Sequence, residues 1–230
     1  MCFESSQKRI LIKSQNITLR NTTILDTLKG ILIRNNSVLN IEGTLSFLSN
    51  KREFMIQEQT NVTIDKNSNL IFRHNHVNDG ESPFIRTNSN VWFLANSLIL
   101  FENNTGSQSG GITFINTKVI FKGGSSLFFT SNRGKRGGAM AFYAQSHIIF
   151  NGGITNLSFT NNQASIVGGA IYVQDSDYAR IGGYHAFFSK ALTTDKKPTF
   201  HFSNNTAIQA GDALYGDGGN VKRCLCMHKL

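Results

Sequence analysis

Apolar and polar residues alternate along most of this chain, in runs of only a few residues. Val38-Leu39-Asn40-Ile41 and Val62-Thr63-Ile64 each place apolar side chains on one side and a polar one on the other. A period of two over such lengths predicts short β-strands with one buried face. No segment carries apolar residues at i, i+3, i+4 and i+7, so no amphipathic helix is expected.

A paired signal punctuates this alternation. FENN at 101–104 precedes GGIT at 110–113, and FTSN at 129–132 precedes GGAM at 137–140. FTNN at 159–162 precedes GGAI at 168–171, and FSNN at 202–205 precedes GDAL at 211–214. Val119-Ile120-Phe121-Lys122-Gly123-Gly124 leads to the second copy and Ile148-Ile149-Phe150-Asn151-Gly152-Gly153 to the third. The longest interval holds a polar insertion, 175–198, where a surface loop is expected to leave the repeat. Upstream, about residues 10–100, the glycines are lost, and FLSN at 47–50, FRHN at 72–75 and FLAN at 93–96 are candidate degenerate copies.

Repeats of this length, each with three short strands and three turns, predict one all-β domain over 1–230: a single-stranded parallel β-helix of seven to nine coils. Each coil then pairs with the next about 4.8 Å away, and equivalent residues lie above one another. Stacked Phe would form an interior ladder, each contributing about 1.5–3 kcal/mol. Stacked Asn would hydrogen-bond along the stack and tolerate left-handed backbone angles. Gly-Gly would form a bend where backbones crowd.

Composition supports this. The chain has 25 Asn, 21 Ser, 18 Thr and 21 Gly but only 2 Pro, which suits many short strands and turns. The net charge of +9 is spread over small clusters such as Lys51-Arg52 and Lys196-Lys197, and only Arg133 to Arg136 is dense. With no RNA-binding, zinc-finger or helix-turn-helix signature, no nucleic-acid partner is expected. Cys2, Cys224 and Cys226 lie at the ends, so no disulfide framework runs through the body. Seven Asn-x-Ser/Thr sites, Asn16, Asn21, Asn35, Asn61, Asn103, Asn156 and Asn204, are candidate N-glycosylation positions. Chance from this composition gives about four. The sequence opens without a signal-peptide core and has no long apolar run, so a secreted chain would draw its leader, and any membrane association, from flanking segments.

The pairing of Phe-x-x-Asn with Gly-Gly-Ala-(Ile/Leu/Val) resembles the repeat of the chlamydial polymorphic outer-membrane protein family. It is equally similar to repeats of this pattern in surface proteins of sponges and other simple animals. The matching positions are Phe101, Asn104, Phe129, Asn132, Phe159, Asn162, Phe202 and Asn205, with Gly137, Gly138, Ala139, Met140 and Gly168, Gly169, Ala170, Ile171. Coverage is good over 101–214. The resemblance implies a right-handed, pectin-lyase-like β-helix displayed outside the cell. In the bacterial members the repeat tetrapeptides are implicated in adhesion. The chain departs from the pattern at Gly211-Asp212, where the glycine pair breaks, and it shows no C-terminal membrane barrel. With the sequons, these departures set the expectation of a eukaryotic relative and of a piece of a longer protein.

Chemistry hidden in the coils would need clustered carboxylates or metal ligands. Asp175 and Asp177, Asp212 and Asp217, and His74 with His76 are the closest approaches to such clusters. Each is better explained by turn chemistry or a surface position. Cys224-x-Cys226 has the wrong spacing for a zinc knuckle or thioredoxin motif. No Gly-x-Ser-x-Gly elbow or phosphate loop occurs. The expectation is therefore a non-enzymatic extracellular or cell-surface module, adhesive or structural, without cofactor, whose partners are surface proteins or glycans. The alternative is a carbohydrate-active or glycan-binding β-helix. The motif Phe and Asn are expected to be structural first, with exposed turns as the adhesive face.

Overall fold

The computed structural model describes residues 2–4, 10–77, 82–144, 146–151, 156–174, 198–218 and 221–225. The insertion expected at 175–198 lies, apart from Pro198, outside these residues, as do Gly152-Gly153 and Cys226.

The chain winds coil by coil. After β1 (Cys2–Glu4), the first coil is β2 (Ile10–Lys13) and β3 (Asn16–Leu25), and the second is β4 (Ile31–Arg34) and β5 (Val38–Leu48). Then follow β6 (Phe54–Ile56), β7 (Asn61–Ile64) and β8 (Asn69–Arg73), and next β9 (Phe84–Thr87), β10 (Asn90–Phe93) and β11 (Leu98–Glu102). The fifth coil is β12 (Ile112–Ile115), β13 (Lys118–Lys122) and β14 (Ser126–Thr130). The sixth adds an extra strand, β15 (Arg133–Arg136), before β16 (Met140–Tyr143), β17 (His147–Asn151) and β18 (Asn156–Thr160). Beyond it lie β19 (Gln163–Val167), β20 (Ile171–Gln174), β21 (Thr199–Ser203), β22 (Thr206–Ala207), β23 (Leu214–Gly218) and β24 (Val221–Leu225).

Among the described residues each strand pairs in parallel with a strand of a neighbouring coil, except β24, which turns back antiparallel on β23. Among the described residues there is no helix. The fold is a parallel β-helix. On the first face, Ile31, Phe54, Phe84, Ile112, Met140, Ile171 and Leu214 stand in one column. On the second, Ile41, Ile64, Phe93, Phe121 and Phe150 do the same. In the early coils β3 and β5 run unbroken from the second face into the third, which joins both faces into one 12-stranded sheet. Gly43, at φ 68°, lies within β5 where the two faces meet. The alternation read from the sequence is the inside/outside alternation of these strands: β7, for example, buries Val62 and Ile64 and turns Asn61 and Thr63 outward.

Two details of the repeat differ from the sequence alignment. Ile112 sits over Met140, and Gly111 donates its N–H to the carbonyl of Ala139. GGIT is therefore displaced by one residue: Gly110-Gly111 occupies the place of Gly138-Ala139, not of Gly137-Gly138. A glycine at 111 fits the small corner that Ala fills elsewhere, so identity alone misaligned the copies. FLAN at 93–96 is not a copy at all. Phe93 pairs with Phe121 and Ile64 on the second face, and Asn96 turns a different corner, in line with Asn67 and Gly124. Any strand that ends in a Phe and enters a turn through Asn produces the same four letters.

Candidate functional site

The Phe-x-x-Asn motif builds two ladders inside the third face. Phe47, Phe72, Phe101, Phe129, Phe159 and Phe202 stack ring on ring, with centroids 4.4, 4.7, 5.0, 5.1 and 5.0 Å apart and planes within 11°. One coil rise is thus also a comfortable stacking distance. Three residues after each Phe, the Asn side chains form a continuous column. Asn104 donates its backbone N–H and an Nδ2 hydrogen to Oδ1 of Asn132, at 3.1 and 2.9 Å. Its second Nδ2 hydrogen goes to the carbonyl of Phe72, one coil back, at 3.0 Å. Asn132 repeats this pattern toward Asn162 and Phe101, and Asn162 toward Asn205 and Phe129. Asn75 and Asn50 extend the column upstream, and Thr27 ends it, donating N–H and Oγ1–H to Asn50.

Each interior Asn thus has both amide hydrogens donated and its oxygen accepting two bonds, which is what a buried amide requires. Asn104, Asn132 and Asn162 are fully buried. The left-handed backbone falls on the residue before the ladder Asn, not on the Asn itself. Ser49, His74, Asn103, Ser131, Asn161 and Asn204 all have φ between 51° and 57°. The ladder Asn is thereby free to aim its amide along the stack.

The Gly-Gly corner is as crowded as expected. A Cβ on Gly138 would lie 2.1 Å from the carbonyl oxygen of Gly169, and one on Gly169 would lie 2.1 Å from that of Asp212. Gly137, Gly168 and Gly211 take φ of 72°, 69° and 73°. Asp212 stands in line with Gly169, and its carboxylate accepts a hydrogen bond from the Ala207 N–H at 3.0 Å. The break in the glycine pair is thus a turn bond in the last described corner. Ala139, Ala170 and Ala213 are buried next to it.

The other candidates remain on the surface. Asn16, Asn21, Asn103, Asn156 and Asn204 are exposed, and Asn35 and Asn61 are half-buried. His74 and His76 flank the buried Asn75 and are exposed, and His74 Nδ1 meets Asn103 Nδ2 at 2.9 Å. Arg133 and Lys135 project from β15, and Arg136 is half-buried. Carboxylates pair with guanidinium groups of neighbouring coils: Arg20 with Glu42, Arg34 with Glu58, and Arg73 with Glu102 at 2.8 Å. Among the described residues no three His, Cys, Asp or Glu side chains gather into a metal-binding group. Asp175 and Asp177 lie outside the described residues, as do the side chains of Asp217 and Cys224.

A second column was not singled out by its sequence. Two residues before the second-face strands, Asn36, Gln59, Asn88 and Asn116 take left-handed backbone and point to solvent. Each is followed by a buried Ser or Thr whose hydroxyl bonds a carbonyl of the same turn, for example Thr60 to Gln57 at 2.7 Å. The signal was present as Asn-Ser, Gln-Thr, Asn-Ser and Asn-Thr at coil spacing. These pairs are too common in a chain this rich in Asn and Ser to stand out.

These features define a repeat-built parallel β-helix in which the repeat itself is the interior. One copy of the repeat, residues 156–174, matches the family described as the Chlamydia polymorphic membrane protein repeat. That match spans the ladder residues Phe159 and Asn162 and the corner Gly168-Gly169-Ala170-Ile171. No curated protein and no solved structure matches the chain significantly. The name of that family describes its own members as membrane proteins of Chlamydia.

Proposed function

We propose that the chain is a non-enzymatic β-helical module of the cell surface or extracellular space, which acts in adhesion through its exposed turns. One observation carries this reading: the matched repeat is consumed by the stack. Its Phe, Asn and Gly are buried or pressed against the next coil, so the repeat supplies a stiff scaffold and the turns between strands supply the contact surface. Charged residues are tied into ion pairs between coils where Glu42, Glu58 and Glu102 meet their Arg partners. The exposed sequons fit a chain made in a compartment where asparagine is glycosylated.

The test is adhesion of beads coated with the purified protein to cultured animal cells. Beads should bind above an inert-protein control, and soluble protein should compete. Beads that bind no better than the control on any cell line would refute the adhesive reading. Steady release of unsaturated or reducing ends from polygalacturonate or alginate by the purified chain would instead favour a carbohydrate-active enzyme.

A further inference from the structure

The strongest unassigned feature is a long concave surface on the turn between the first and second faces. It is shallow and wide open to solvent, with about 990 Å³ of space over its floor. Two columns of side chains form its walls. One is the left-handed column Asn36, Gln59, Asn88 and Asn116. The other stands at the strand starts, where Asn90 and Lys118 are in register on neighbouring coils. Within the columns the amides are already aligned by hydrogen bonds: Asn116 Nδ2 to Asn88 Oδ1 at 2.9 Å, and Asn90 Nδ2 to Asn61 Oδ1 at 3.2 Å.

Three properties decide what such a surface takes. Its side chains are chiefly amides, each carrying donors and an acceptor, which match the mixed donor and acceptor character of hydroxyl groups. Its rungs repeat at the coil rise of about 4.8 Å, close to the length of one sugar unit in an extended chain, so successive units meet equivalent amides. Its charge is balanced. Of the residues lining it only Glu58 and Lys118 carry charge, and Glu58 also lies 3.7 Å from Arg34. That balance contrasts with the net +9 of the whole chain. Just beyond the rim, two residues after Asn90 on the same outward side of β10, Trp92 stands half-buried between Thr63 and Ile120. A rigid indole beside a row of amides offers an apolar face on which a sugar ring can lie.

We infer that this groove binds a neutral, linear polysaccharide laid along the helix axis across successive coils. The proposal rests on the surface-module reading above and names the chemistry of its partner. A charged polymer is not favoured, because the walls carry no excess of either sign.

The experiment is calorimetric titration of the whole chain with soluble hexasaccharides of β-1,4-linked glucose and of β-1,4-linked N-acetylglucosamine. Heparin and polygalacturonate serve as anionic controls. At least one neutral hexasaccharide should bind, with affinity unchanged by added salt. The double variant Asn88→Gly, Asn116→Gly removes two amides at positions whose φ of 48° glycine accepts readily. It should melt like the parent and bind about tenfold more weakly. Trp92→Ala should weaken binding to a similar degree. Failure of both neutral hexasaccharides to bind, binding confined to the anionic polymers and lost in salt, or unchanged affinity in the glycine variant would each overturn the proposal. If bead adhesion persists while both hexasaccharides fail, the groove is wrong and the surface reading stands.

Discussion

At the scale of single residues, the ladder Asn is the most demanding position in this chain. Asn132 accepts two hydrogen bonds from Asn104 and donates to Phe101 and Asn162, all without access to water. Asn132→Ala leaves several buried groups without partners, at about 1–3 kcal/mol each. We expect a loss of about 3 kcal/mol or more in denaturant unfolding. Thr27→Val, at the end of the same column, removes one hydroxyl bond to Asn50 and should cost only about 1 kcal/mol. Equal losses at the two sites would mean that Asn132 does not hold the larger set of buried bonds described. Phe159 lies in the next ladder, between Phe129 and Phe202. Phe159→Ala should cost about 3–5 kcal/mol, as truncating a buried Phe does. A near-zero change would mean that the ring is not buried in solution.

At the scale of the element, a turn has to suit the coil above and the coil below. The Gly-Gly corner shows this most directly. Gly169→Ala drives a methyl group into the carbonyl of Asp212 at 2.1 Å, and only backbone movement can relieve it. We expect a loss of about 3 kcal/mol, read as a lowered unfolding midpoint. Unchanged stability would mean that the neighbouring corner is not packed as described. The same reasoning explains why part of the element map was legible in the sequence and part was not. Strand alternation, the Phe at coil period and the Asn after it follow from side-chain chemistry, and they are readable wherever residues are identical. The displacement of Gly110-Gly111 by one residue and the place of FLAN depend on which residue meets which across coils. Four letters do not record that. The extra strand β15, with β19 and β22 beside it, was likewise invisible. Arg133-Gly134-Lys135-Arg136 has no apolar alternation and becomes a strand only because neighbouring coils offer it an edge to pair with.

At the scale of the molecule, a stack of coils has an interior spent on cohesion and a surface of turns. The surface-module reading has a consequence at this scale. If the chain is made in a eukaryotic secretory compartment, glycans should be found at the exposed Asn103 and Asn204, which stand on the turn of the Asn ladder. Asn61 should be poorly modified, since it is half-buried and its oxygen holds Asn90. Site mapping by mass spectrometry after secretion from cultured cells checks this. Full occupancy of Asn61 with none at Asn103 would contradict the surface described.

The sequence by itself determined the kind of object. A Phe, an Asn and a glycine corner recurring at coil length can all be buried only if the copies stack, and stacking in register is a β-helix. Each motif needs only a like neighbour, so the pattern carries its own instructions. The tertiary structure alone decided which copies align, which residue of each turn takes the left-handed backbone, and where the stacked turns open into a groove. Those outcomes depend on distances between coils far apart in the chain. The amides of Asn36, Gln59, Asn88 and Asn116 are scattered polar residues in the sequence and become a wall only once the coils are laid on one another.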